Sequence, residues 1–181
     1  FTRSNNASIG AAARLQGTGK HFYWKANATY IDYADYKVPT NSIQYFSYDI
    51  PLYKKRLRNT AGLERDGSIT IGYKHYNFHT ELKFSDTYSK SGFFANAHGL
   101  EVRLSSIDYD KSRRDIDLPY QSVNHFKAMS HTVYQHGNLA LEANLAYQNN
   151  HRKELAEAVS HGYMPIPPHT LEREFKKDTY T

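Results

Sequence analysis

Apolar and polar residues alternate one by one in six stretches of this chain. The clearest is Asn138 to Asn150, where Leu139, Leu141, Ala143, Leu145 and Tyr147 share one face. Ala140, Glu142, Asn144, Ala146 and Gln148 take the other. Side chains alternate across a strand with a period of two, so the pattern predicts a strand with one greasy and one wet face. The same pattern runs from Ala7 to Gln16, from His21 to Tyr33, from Ser68 to His75 and from Phe78 to Tyr88. It is weaker from Asn124 to Gln135, where Met129 and Val133 fall on the polar side. Short turns are expected at Gly17-Thr18-Gly19-Lys20, where glycine would supply positive φ, near Tyr76-Asn77, and at His136-Gly137.

These hairpins are separated by long connections, Lys37 to Gly67, Ser89 to Val123 and Arg152 to about Glu174. Loops above roughly 12–15 residues are uncommon in compact domains. Short turns at one end and long loops at the other characterise an outer-membrane barrel, whose strands need roughly 9–11 residues to cross lipid. The expected fold is therefore all-β: a partial, antiparallel up-and-down transmembrane β-barrel of about six to seven strands. Its turns would be periplasmic and its long loops extracellular. Several residues on the greasy faces are small, including Ala11, Ala13, Ala26, Ala28 and Ala143. They would be thin for a water-soluble core but are adequate against acyl chains.

Composition agrees with this picture. Only 39% of the 181 residues are hydrophobic, and no apolar run approaches the roughly 20 residues a membrane helix needs. The 16 tyrosines suit a membrane–water boundary, being apolar at one end and polar at the other. No cysteine is present, which removes disulfide frameworks and thiolate metal sites. The net charge of +5 is scattered among acidic residues, so no nucleic-acid partner is expected. The chain opens Phe1-Thr2-Arg3 without an initiator Met, and Lys177 to Thr181 reads as the opening of another strand. A piece of a longer protein is expected.

Ordered blocks carry a resemblance. They are YKVP at Tyr36, DIPLYKKRLRNTAG at Asp49, SGFFANAHG at Ser91, RRDIDLPYQSVNHFK at Arg113, LAYQNNHRKE at Leu145 and HGYMPIPP at His161. In these blocks the chain resembles the barrel of TonB-dependent outer-membrane receptors of the Bacteroidetes type. That resemblance implies a 22-stranded barrel around a plug, importing a scarce nutrient such as an iron chelate, haem or cobalamin. Residues 1–181 would be a central part of the barrel, with the plug and the barrel's C-terminus lying outside it. Implied partners are outer-membrane lipid and lipopolysaccharide, a small-molecule ligand, and the TonB complex, gripped through the receptor's N-terminal part.

Candidate ligand contacts lie in the long loops. Tyr45 and Tyr48 belong to an aromatic cluster suited to adaptable recognition, and Phe94 is similar. His98 could meet a haem, and Arg113 and Arg114 could clamp an anionic chelate with their forked donors. The plainer reading of the arginines is a loop stabilised by its own ion pairs. Lys25, Asn27, Glu81, Lys83, Glu142, Asn144 and Gln148 are expected to face the lumen. The ten histidines show no converging ligand spacing, so neither metal nor cofactor is assigned. No nucleophile elbow or zinc-protease motif occurs, and no enzymatic activity is expected. Three rival readings are a small complete barrel acting as adhesin or structural protein, a soluble β-sandwich binding module, and a membrane-embedded hydrolase.

Overall fold

The fold, a computed structural model, describes residues 2–3, 5–45, 47–94, 112–158, 160 and 163–181, with residues 2, 3, 45 and 48 described by backbone alone. It is all-β. A two-residue strand β1 (Thr2–Arg3) is followed by β2 (Ser8–Thr18) and β3 (Phe22–Tyr33). The next connection holds β4 (Tyr36–Lys37), β5 (Ser42–Tyr45), β6 (Tyr48–Pro51) and β7 (Arg56–Leu57). Then come β8 (Gly62–His75), β9 (Phe78–Gly92), β10 (Tyr120–His136), β11 (Leu139–Leu155) and β12 (Leu171–Tyr180).

The main sheet runs in the order β1-β2-β3-β8-β9-β10-β11-β12, and every neighbouring pair is antiparallel. It is a simple meander. Among the described residues no pairing joins β12 to β1 or β2, so the sheet is open. Short turns at residues 19–21, 76–77 and 137–138 share one end, and the connections 34–61, 93–119 and 156–170 share the other.

All six expected strands form, but most are longer than alternation suggests. β8 begins at Gly62 rather than Ser68, β9 continues to Gly92, and β10 begins at Tyr120. β11 continues to Leu155, and the last strand starts at Leu171 rather than at Lys177. Backbone pairing needs no greasy face, so it extends into stretches such as GLERDG at Gly62, where Leu63 is the one large apolar residue. The long connections are correspondingly shorter.

The first turn also differs from expectation. Gly17 and Thr18 lie within β2, opposite Trp24 and Tyr23. Among the described glycines only Gly137 has positive φ. Gly17 serves close approach instead: a Cβ there would collide with the Trp24 indole. In the second turn Tyr76, not a glycine, takes positive φ (44°).

The register puts the greasy faces of neighbouring strands side by side. Leu15, Ala26, Ile69, Phe84, Ala128 and Tyr147 stand in one row across the sheet. No layer covers them. Ile71 is 44% exposed, Leu82 42%, Leu141 55% and Leu145 67%. The buried apolar side chains among the described residues are Ala34, Ile50, Leu52 and Ala61, all within the β3–β8 connection. Among the described residues the packed apolar core thus sits at the loop end, and they leave the sheet bare on its apolar face.

The bare band runs obliquely. On β2 the apolar positions Ile9 to Gly17 centre on Ala13, which the register carries through Ala28, Gly67, Asp86 and Phe126 to Asn149. On β11 the apolar positions Leu139 to Tyr147 centre on Ala143, six positions short of Asn149 toward the turn. Five strand steps therefore shift the band by about 1.2 residues each, roughly 4 Å along the strand per 4.8 Å across, a slope of about 40°.

Candidate functional site

Two regions carry the chemistry: the polar face of the sheet and the cap at its loop end. The period of two and the register together put Lys25, Asn27, Glu81, Lys83, Glu142, Asn144 and Gln148 on one face, opposite the apolar band. Near the turns this face is laced with hydrogen bonds. The Tyr23 hydroxyl donates to Glu81 Oε2 at 2.6 Å and lies 3.0 Å from His79 Nε2. Two strands further on, His131 Nδ1 and Asn144 Oδ1 are 2.7 Å apart, and Asn144 Nδ2 donates to Glu142 at 3.1 Å. Asn27 donates to Ser68 (3.1 Å), and His125 Nε2 lies 3.3 Å from Gln148 Oε1. Each bond joins neighbouring strands or closely placed residues of one strand, except that Tyr23 reaches across β8 to β9.

Tyr23 can do this because its directly opposed partner is Gly72, whose missing side chain leaves room for the ring. The same device recurs at the loop end, where the Tyr33 ring fills the space over Gly62. Aromatic rings covering cross-strand glycines restore the packing that glycine forfeits.

Polar groups on the apolar face satisfy one another. Thr80 and Thr132 hydroxyls are 2.8 Å apart, and Asn124 donates to both oxygens of Asp86 (3.0 and 3.2 Å). Rings gather at the turn-side rim of this face. Phe22 and Tyr73 have centroids 4.8 Å apart, and Tyr73 and Phe78 6.2 Å. At the loop-side rim Arg65 lies 4.4 Å over the Tyr88 ring and Lys90 4.1 Å over Tyr120.

The cap binds two long connections into one unit. Asp35, 1% exposed, accepts from Thr60 N (2.8 Å) and Ala61 N (3.1 Å), while its own N–H donates to the Arg113 carbonyl (2.9 Å). Its carbonyl accepts from Arg56 (2.9 Å). Asn59, held at φ 60°, donates to the carbonyls of Phe93 (3.0 Å) and Pro119 (2.8 Å) and accepts from Asp117 N (2.9 Å). Arg58 faces Asp117 at 3.6 Å. Arg114 forms an ion pair with Asp32 and donates to the Ala7 carbonyl at 2.7 Å.

The loop candidates fare unevenly. Arg114 is engaged in holding the cap, through Asp32 of β3 and the Ala7 carbonyl rather than through an acidic residue of its own loop. The exposed Arg113 contributes its carbonyl to Asp35. Tyr45 and Tyr48 face each other in register at the tip of the β5–β6 hairpin. Phe94 is half-buried beside Phe93, whose N–H donates to Pro119 O at 3.0 Å. His98 lies outside the described residues. Among the candidates whose side chains are described, Phe94, Arg113 and Arg114, no hydrogen bond, ion pair or ring contact joins two of them. Among the described residues no three His, Asp or Glu side chains converge as a metal site requires. The sequence reading missed Asn59 and Asp35. Only the tolerance of asparagine for positive φ hinted at the first.

Comparison with family models, with curated proteins and with solved structures finds no match to this chain.

Proposed function

We propose that the sheet is a section of an outer-membrane β-barrel, its bare band set against acyl chains and its polar face lining a lumen. The observation that carries this reading is the oblique, uncovered apolar band. A hydrocarbon slab holds apolar residues at constant depth, so strands tilted by roughly 35–45° must carry a band that crosses their hydrogen-bond rows at that slope. The band's slope of about 40° falls within this range. Its rims add support, since aromatic girdles flank the lipid-facing band of such barrels. A soluble β-sandwich would need a second layer over the Ile71, Leu82 and Leu141 face, and the described residues supply none.

Within that setting, the ordered blocks from Tyr36 to Pro168 support a TonB-dependent receptor importing a scarce nutrient. Extracellular loops would capture the ligand and the polar wall would pass it inward. Trp24, the single tryptophan, lies in the band and is 43% exposed. Refolded with phosphatidylcholine vesicles, the chain should emit in the blue and be quenched by lipids brominated midway along the acyl chain. A folded chain whose Trp24 ignores those lipids would overturn the membrane reading. Import has its own test: cells dependent on the gene for a limiting nutrient should stop growing when TonB is deleted, and undiminished growth rejects active transport.

A further inference from the structure

Among the described residues the ion pairs made by Arg and Lys gather toward the loop end, while His131 faces Glu142 at 3.7 Å on the turn side. Arg58 meets Asp117, Arg114 meets Asp32, Arg152 and Arg173 meet Glu154, and Lys153 and Lys176 meet Glu174. The middle of the polar face is different. Arg14, Lys25, Lys83 and Lys127 all project there, and among the described residues none lies within 4 Å of a carboxylate.

The register spaces them as a stripe. Arg14 is paired with Asn27, two residues from Lys25, which makes Arg14 and Lys25 diagonal neighbours roughly 7–8 Å apart. Lys25 and Lys83 flank Thr70 from either side, roughly 10 Å apart across two strand spacings. Lys127 is paired with Ser85, again diagonal to Lys83. The carboxylates in the adjoining rows are Asp66, toward the loops, and Glu81, which is bonded to Tyr23. Four cations at this spacing repel one another, and more so beside a wall that excludes water. An anion between any two of them relieves that repulsion. Pores that pass anions and phosphates line their walls with Arg and Lys in this way.

We propose that Arg14, Lys25, Lys83 and Lys127 form a binding stripe for small multiply charged anions, solutes carrying phosphate or clustered carboxylates. The proposal rests on the polar face being a lumen wall, and names the class of solute that wall favours. Arg14 supplies a fork of donors and the lysines supply mobile point charges, so the stripe reads charge rather than shape.

The test is calorimetric titration of the full chain in a neutral maltoside detergent at low salt, with inorganic pyrophosphate and with citrate as probes. The triple variant Lys25→Gln/Lys83→Gln/Lys127→Gln should weaken binding at least tenfold, and raising the salt should weaken the wild type in the same direction. Lys90→Gln/Lys176→Gln, on the opposite face, should bind within twofold of wild type. Tighter citrate than pyrophosphate binding would assign the carboxylate class, and the reverse the phosphate class. Absence of wild-type binding, an unchanged triple variant of native circular dichroism, or equal loss in the control pair would each overturn the stripe. Trp24 quenching by brominated lipid is measured separately, so failure of the stripe and failure of the membrane reading are told apart.

Discussion

The Tyr23 ring occupies the space that a side chain at Gly72 would fill, and from there its hydroxyl reaches Glu81 one strand further on. This single aromatic therefore links β3 to β9 across β8. Gly72→Ala should drive the ring off its rotamer and break its bonds to Glu81 and His79, destabilising the sheet by about 1–3 kcal/mol. Tyr23→Phe keeps the ring and loses only the hydroxyl, so it should cost about 0.5–1.5 kcal/mol. Denaturant unfolding in detergent measures both, and equal stability of Gly72→Ala and wild type would refute the arrangement.

Leu145 and Gln148 sit on opposite faces of β11 and report which face meets lipid. In water, a residue as exposed as Leu145 (67%) tolerates arginine within about 0.5 kcal/mol. Facing the bilayer midplane, the same change costs about 2–4 kcal/mol. Leu145→Arg should thus impair insertion into vesicles, while Gln148→Arg should insert as wild type does. Equal insertion of the two variants would contradict the lipid-facing assignment.

Asn59 is the joint of the cap. Asn59→Ala removes three hydrogen bonds and leaves a β-carbon residue at φ 60°, and about 2–4 kcal/mol of local stability should go with them. Asn59→Gly relieves the backbone but not the lost bonds, so it should recover only part. Hydrogen exchange read at Gly92 and Phe93, whose N–H groups donate within the cap, should rise sharply in both variants.

Adjacent arginines should behave differently. Arg114→Ala removes the ion pair to Asp32 and the bond to Ala7, and should loosen the junction by about 1–3 kcal/mol. Arg113→Ala leaves the carbonyl bond to Asp35 in place, and should change stability by less than about 0.5 kcal/mol. Limited proteolysis near Ala7 distinguishes them, since only Arg114→Ala should open a new site.

Much of the sheet is legible from sequence because one face is greasy and the other wet. Leu139 to Tyr147 declares its strand, its faces and its polar-face residues Glu142 and Asn144 at once. The loop-side halves are harder to read: Gly62 to Gly67 has Leu63 as its one large apolar residue, and in Leu171 to Lys176 Arg173 separates Leu171 from Phe175, so no alternation is sustained and backbone pairing keeps them extended. Gly17 reads as a turn residue, yet its role depends on Trp24 standing opposite, which only the register reveals. The stripe is a similar case, since Arg14 and Lys127 become neighbours of Lys25 and Lys83 only once strands are aligned. The cap is further from reach, because Asn59 meets Phe93 and Pro119 across 34 and 60 positions of chain.

Seven long strands, each reversed against the last, leave the outermost long strands β2 and β12 pointing the same way, with only the two-residue β1 beyond β2 at its loop end. Bringing those two strands together would create a parallel seam in a sheet that is otherwise antiparallel. A second copy in the same orientation, joined margin to margin, meets the identical conflict. Any cylinder built from this ribbon by antiparallel pairing alone must therefore admit an odd number of additional strands, and the parity of seven makes the completed total even, as in bacterial single-chain barrels.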